Sequence, residues 1–243
     1  MKRHIPNSIT ACNLISGCFA IGAAYEQNFQ LALGFIVLGA VFDFFDGFAA
    51  RLLHVASPIG KELDSLADVV TFGVAPATIV VQMLLISVPT CTPEGCPIAT
   101  YLPYVGFLIA AFSALRLAKF NLDTRQSDSF IGLPTPANAL FWGAIAVTFY
   151  GDPQNLPDST KALVYLLPLV FASCWILVSE VPMFALKFKN FAWKGNEIRY
   201  IFLILALFLI VVPIPLGLGV LGIAGTILFY ILVSLLHNKF GSK

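Results

Sequence analysis

Long apolar runs separated by short polar breaks dominate the chain. A helix crossing the hydrocarbon core takes roughly 20 mostly apolar residues. On that rule the pattern predicts eight crossing helices, over about residues 9–25, 30–50, 62–88, 101–120, 134–150, 161–185, 199–213 and 216–236. The last two form one uncharged run from Ile201 to Leu236, too long for a single crossing, and Pro213-Ile214-Pro215 supplies the break. The expected fold class is all-α: a polytopic membrane helical bundle, one domain over 1–243, without a soluble module, a repeat or a low-complexity tract. After Lys2 and Arg3 come Asn7, Ser8, Thr10 and Asn13 before any long apolar run, so no cleavable signal peptide is expected.

Composition agrees with the pattern. Of the 243 residues, 58% are hydrophobic and 11% charged, against about 45–50% and 25% in soluble proteins. So few charges cannot cover a water-facing surface, and disorder, collagen and a disulfide-stapled secreted scaffold are excluded on the same grounds. The net charge of +1 gives no basic excess for nucleic acid. Of the 14 Lys and Arg residues, an inside N-terminus puts all but Lys161 on the inner side. Those are Lys2, Arg3, Arg51, Lys61, Arg116, Lys119, Arg125, Lys187, Lys189, Lys194, Arg199, Lys239 and Lys243. This positive-inside bias predicts an even number of spans with both termini in the cytoplasm. Cys12, Cys18 and Cys174 fall within spans as small apolar fillers. Cys91 and Cys96 fall on the outer side, where either a disulfide or two free thiols is possible.

The acids are concentrated. Phe42-Asp-Phe-Phe-Asp-Gly-Phe-Ala-Ala-Arg51 and Gly60-Lys-Glu-Leu-Asp-Ser-Leu-Ala-Asp68 contain Asp43, Asp46, Glu62, Asp64 and Asp68. Asp43, Asp46, Gly47 and Ala50 share one helical face; Gly60, Asp64 and Asp68 share another. The short connection through Pro58 makes these helices neighbours, so two faces with two Asp each converge. Four carboxylates at membrane depth require protons or cations. Hard oxygen ligands suit Mg²⁺, Mn²⁺ or Ca²⁺ rather than zinc or copper. Four of them fit two ions about 3.5–4 Å apart, as in two-metal phosphoryl chemistry. Gly47, Ala50 and Gly60 leave room for a bulky group, and Arg51 suits phosphate. Glu62 points off the metal face. Two bland readings compete: solvated juxtamembrane acids beside small packing residues, and a cation transporter, although transporter sites lie nearer the midplane on broken helices.

The pattern Asp43-x2-Asp46-Gly47-x2-Ala50-Arg51-x8-Gly60-x3-Asp64-x3-Asp68 resembles the complete signature of the CDP-alcohol phosphotransferases. These membrane enzymes pass a substituted phosphoryl group from a CDP-alcohol to a second alcohol and release CMP. The resemblance implies that Asp43, Asp46, Asp64 and Asp68 hold two divalent cations, Mg²⁺ or Mn²⁺, with Ca²⁺ in a non-productive state. It implies that Asp68 is the general base, and that Gly47, Ala50, Arg51 and Gly60 bind the CDP part of CDP-diacylglycerol. Thr10 and Asn13 are further candidates to reach the nucleotide.

The flanks bear on the acceptor alcohol. Ile5 to Gly17, Gly60 to Ala77, Arg116-Leu-Ala-Lys-Phe-Asn121, Phe130-Ile-Gly-Leu-Pro-Thr-Pro-Ala137 and Leu177 to Met183 resemble membrane-type phosphatidylserine synthases of bacteria and archaea. Lys119, where many members have Arg, and Asn138 and Glu180 depart from that pattern. The resemblance implies L-serine as acceptor, a bacterial or archaeal inner membrane, and a site facing the cytoplasm; it also admits a homodimer. Serine brings a carboxylate, for which Arg116 and Lys119 are candidates, and an ammonium, for which Glu62 is one; Asn121 can hydrogen-bond. Positive-inside anchoring is the alternative role of Arg116 and Lys119. Glycerol 3-phosphate or an inositol phosphate is the alternative acceptor.

Overall fold

The computed structural model describes residues 4–55, 57–88, 100–123, 130–183, 196–216 and 218–240. Among them eight helical rods follow in order: α1 (His4–Tyr25), α2 (Phe29–Leu52), α3 (Pro58–Ser87), α4 (Leu102–Leu122), α5 (Thr135–Tyr150), α6 (Ser159–Val178), α7 (Glu197–Val211) and α8 (Leu221–Phe240). They match the eight apolar runs one to one. Five are long and apolar enough to cross a membrane: α1 to α4, and α6 through its stretch Lys161–Val178. Helix α5 has 16 residues, and α7 and α8 carry the shorter apolar stretches Tyr200–Val211 and Leu221–Leu236. Cys91 and Cys96 lie outside the described residues, as do Arg125, Lys187, Lys189 and Lys194.

Two boundaries differ from expectation. Helix α1 begins at His4 rather than near residue 9, because its polar first turns continue the helix and Pro6 is tolerated there. The sixth apolar run leaves the helix at Val178 rather than near 185. Pro182 disfavours helix at the residue before it, and the chain instead forms β2 (Pro182–Met183). This pairs antiparallel with β1 (Phe130–Ile131), Phe130 opposite Met183, a small strand pair that the all-α expectation did not contain. At the end of β1, Gly132 takes φ +73°, and a Cβ there would stand 2.6 Å from the Leu177 carbonyl oxygen. The Gly132 N–H donates to Val181 O at 2.9 Å and the Leu133 N–H to Ile176 O at 3.1 Å. The loop entering α5 is thereby pinned to the exit of α6.

Helix α3 is the central rod. Every residue from Ala75 to Leu84 is buried, as expected of a helix apolar on all sides and surrounded by others. Its neighbours include α1, α4, α5 and α6. The stretch Val69–Val74 is a π-helical turn just ahead of Pro76. Proline has no N–H to give the preceding turn and crowds its carbonyl, and a widened turn is one way a helix accommodates this.

Close approach of α1 and α2 to α3 depends on glycine. A Cβ on Gly17 would overlap the Thr71 hydroxyl oxygen and sit 2.8 Å from its Cα; one on Gly39 would sit 2.5 Å from the Thr71 methyl. Thr71 donates from Oγ1 to Asn13 O at 3.0 Å. Membrane helices, lacking a hydrophobic drive towards one another, rely on such small-residue packing and interhelical hydrogen bonds. Elsewhere Ser87 Oγ pairs with Tyr150 OH at 2.8 Å, and Trp142 Nε1 donates to Ser173 Oγ at 3.1 Å.

Gly17→Ala should therefore destabilise the bundle by about 1–3 kcal/mol and lower its unfolding midpoint in detergent. Gly34→Ala, where a Cβ meets nothing within 4 Å, should be neutral or slightly stabilising, since alanine is the better helix former. Equal midpoint shifts for the two variants would refute the close-packing account.

Candidate active site

The two acid-bearing helices are joined by a compact turn. Helix α2 closes with His54 in the left-handed region (φ 52°), its N–H donating to Arg51 O and that of Val55 to Ala50 O. Ser57 caps α3 by accepting from the Gly60 N–H at 3.1 Å, with Pro58 in the first turn, where its missing N–H costs nothing. Short, well-capped ends leave the two faces side by side.

Those faces converge. One carboxylate oxygen from each of Asp43, Asp64 and Asp68 lies within 4.8 Å of the others. Asp46 is buried alongside, and it interacts electrostatically with the other three. Oδ2 of Asp46 and Oδ1 of Asp64 are buried without a hydrogen-bond partner. Uncompensated carboxylate oxygens in a low-dielectric setting are costly, and a group of hard oxygen donors with unfilled lone pairs is what Mg²⁺ or Mn²⁺ requires. The residues present fit a divalent cation.

Asn13, fully buried on α1, donates from Nδ2 to Asp68 Oδ1 at 3.1 Å. Asp68 thus has one oxygen fixed by an amide from a third helix. Asn13 does not line the neighbouring cavity, whereas Thr10 does. That cavity, about 260 Å³, is lined by Asn7, Thr10, Asp46, Gly47, Ala50, Ser57, Gly60, Lys61 and Asp64 among others. A Cβ on Gly47 would meet nothing within 4 Å; one on Gly60 would sit 2.9 Å from Ser57 Oγ and 3.2 Å from Asn7 Oδ1. Gly47 therefore keeps space open, and Gly60 lets α1 and the α3 cap close in. Arg51 is exposed at the end of α2 and is not among the lining residues.

A second cavity, about 320 Å³, lies between α4 and the exit of α6. Arg116, Lys119, Asp123, Ile131, Ser179 and Glu180 contribute to its lining. Arg116 is 7% exposed and its Nε has no hydrogen-bond partner. Its Nη1 donates to Thr135 Oγ1 at 3.5 Å, and its guanidinium lies over the Phe120 ring at 5.6 Å. It also interacts electrostatically with Asp68 and with Tyr230 of α8. Lys119 is exposed. Asn121 donates to Ser65 Oγ at 2.8 Å, and its carbonyl accepts from Lys61 Nζ at 3.4 Å, which ties α4 to α3. Glu62 is exposed and lines neither cavity.

The structure thus brings together Asp43, Asp46, Asp64, Asp68, Gly47, Ala50, Gly60 and Thr10 around one centre, with Asn13 behind Asp68 and Arg116 beside it. Asn7, Ser57 and Lys61 at the first cavity were not singled out from sequence. Asn7, Thr10 and Asn13 recur every three residues on α1, a polar stripe on an apolar helix, and that was the available signal. Tyr230 carried no signal, because its link to Arg116 spans more than a hundred residues.

The comparisons with known proteins agree with this geometry. The family model for CDP-alcohol phosphatidyltransferases matches residues 3–237. A CDP-diacylglycerol–serine O-phosphatidyltransferase of Bacillus subtilis is 39% identical over 168 residues, covering 68% of this chain and 86% of that protein. A protein of the same name from Helicobacter pylori is 31% identical over 202 residues, covering 82% and 78% respectively. Another, from Mycobacterium leprae, is 35% identical over 188 residues, or 74% of this chain and 57% of the relative. With its signature acids gathered at one centre and the match running almost end to end, the chain belongs to the CDP-alcohol phosphatidyltransferase family.

Proposed function

We propose that the protein transfers the phosphatidyl group of CDP-diacylglycerol to L-serine, giving phosphatidylserine and CMP. The observation that carries this reading is the gathering of Asp43, Asp64 and Asp68 oxygens within 4.8 Å beside a cavity that Asn7, Thr10, Ser57 and Lys61 help to line, in a chain whose relatives bear the serine transferase name.

Asp43, Asp46, Asp64 and Asp68 would hold two divalent cations, Mg²⁺ or Mn²⁺, which when bound neutralise charge on the pyrophosphate and the departing CMP. Gly47, Ala50, Gly60 and Thr10 border the space for the CDP portion, and Arg51 meets its phosphates from the rim. Asp68 takes the proton of the serine hydroxyl, with Asn13 holding its other side. The serine oxygen bonds to the phosphorus that carries diacylglycerol, and the bond from that phosphorus to the CMP oxygen breaks. Arg116 and Lys119 receive the serine carboxylate; Asn121 keeps α4 in register with α3. The protein is a single membrane domain over 1–243, with eight spans, both termini in the cytoplasm and the site at the inner face of a bacterial or archaeal cell membrane.

Purified protein given labelled CDP-diacylglycerol should release CMP with L-serine and not with glycerol 3-phosphate or an inositol phosphate. Excess chelator should abolish that release, and Mg²⁺ or Mn²⁺ should restore it. Asp43→Asn or Asp64→Asn should lower it by orders of magnitude. Full turnover in chelator would refute the metal site, and turnover only with another alcohol would refute serine as acceptor.

Asp68→Asn should lower turnover by about 10²–10⁴-fold or more while weakening binding of a non-reacting CDP-lipid analogue far less. A group that acts in the transition state lowers kcat and kcat/KM together. Arg51→Ala should do the reverse, weakening the analogue about tenfold with a smaller effect on single-turnover rate. Near wild-type turnover of Asp68→Asn at saturating substrates would pass the base role to another group.

A membrane-impermeant thiol reagent applied to intact cells should label Cys91 and Cys96, after reduction if they are paired. Labelling from the cytoplasmic side alone would break the eight-span arrangement.

A further inference from the structure

The cavity between α4 and the exit of α6 has two walls, one with two basic groups and one acid, the other with an acid alone. One is Arg116 and Lys119 on α4. Arg116 is more than nine-tenths buried, and its Nε is a donor with no partner. A buried guanidinium with an unused N–H calls for an anion that can lie flat against it. The other wall is Leu177, Val178, Ser179 and Glu180, the last turn of α6 and the residues just beyond. The C-terminal end of a helix carries partial negative charge on its carbonyls, and Glu180, exposed at this edge, adds a full one. Asp123 is the C-cap of α4, four residues after Lys119, so it belongs to the first wall.

We infer that this cavity selects a zwitterion, with the acceptor's carboxylate held by Arg116 and Lys119 and its ammonium by Glu180 at the end of α6. The inference deepens the serine-transfer reading and rests on it, and it names Glu180 as the residue that sets the acceptor's chemical class. Arg116 also interacts electrostatically with Asp68, and Asn121, one residue from the lining residue Leu122, donates to Ser65 between Asp64 and Asp68, so the cavity and the carboxylate centre share the α3–α4 seam. A dianionic sugar or glycerol phosphate would bring two negative charges against Glu180 and the α6 carbonyls. An amino alcohol without a carboxylate would leave the Arg116 donor unfilled. The geometry rejects both for different reasons.

The test compares L-serine as substrate with 3-hydroxypropanoate, which is serine without its ammonium, as competitor. In the wild type, serine should bind far better. Glu180→Gln should raise the serine KM about three- to tenfold and leave the Ki of 3-hydroxypropanoate unchanged or lower. Glu180→Lys should raise the serine KM further and tighten 3-hydroxypropanoate; Glu180→Asp should restore most of the preference. Asp123→Asn should move both constants in the same direction. Binding of a CDP-lipid analogue reports that each variant is folded. A ratio of the two constants that stays within twofold in both Glu180→Gln and Glu180→Lys overturns the proposal, as does a ratio that shifts only in Asp123→Asn. Wild-type protein that releases CMP with a different alcohol and not with serine overturns the serine reading itself, which is a separate result.

Discussion

Mutual repulsion of four carboxylates gathered within an apolar bundle is the constraint around which this structure is organised. Left to themselves, Asp43 and Asp46 on α2 would drive away Asp64 and Asp68 on α3, since like charges interact strongly where water is scarce. The protein holds them with contacts that carry no charge. Gly17 and Gly39 let two helices press on Thr71, Thr71 bonds the backbone of α1, and Asn13 bonds Asp68. Packing of small residues at one level holds the acids together at the next. A cation at the centre would relieve the repulsion that the packing maintains.

Much of this was legible in the sequence, for a physical reason. An acid in an apolar run is costly enough that its presence signals use, and helical spacing alone puts Asp43 with Asp46 and Asp64 with Asp68. The eight helices were legible because each is a continuous apolar segment, and five of them have the length that lipid demands. What stayed hidden depends on contacts between segments far apart in the chain. The bond from Asn13 to Asp68 joins residues 55 apart, and no local pattern assigns that amide to an acid rather than to nucleotide. The exit of α6 at Val178 was missed because the apolar run continues through Val181 and Met183. There the backbone rule at Pro182 and the pairing with β1 overrode hydropathy.

Glu180 illustrates the same limit in another way. By sequence it is a lone acid near the inner end of the sixth expected span, about 161–185, and Glu62, near the signature acids, is the more natural partner for an ammonium. The fold puts the two in different surroundings. Both are exposed, but Glu62 lines neither cavity, whereas Glu180 lines the same cavity as Arg116, just beyond the α6 exit that the β1 loop pins. Proximity along the chain and proximity at a site are different quantities, and in a helical bundle the second is set by which helix ends share a level.

The π-helical turn after Asp68 has a consequence for how this helix can change over evolution. One residue extra in a turn advances the angular phase of everything beyond it by about 100°. The acidic ladder Gly60, Asp64, Asp68 and the buried rod from Ala75 to Leu84 are therefore two screws of different phase on one axis. Within the joint, Gly73 allows contact with α4, where a Cβ would stand 3.2 Å from that of Ser113, one turn before Arg116. A deletion that restored a plain α-helix would leave both halves individually intact and turn them to face the wrong neighbours. The turn works as a vernier, setting the angle at which the acidic ladder meets the buried apolar rod.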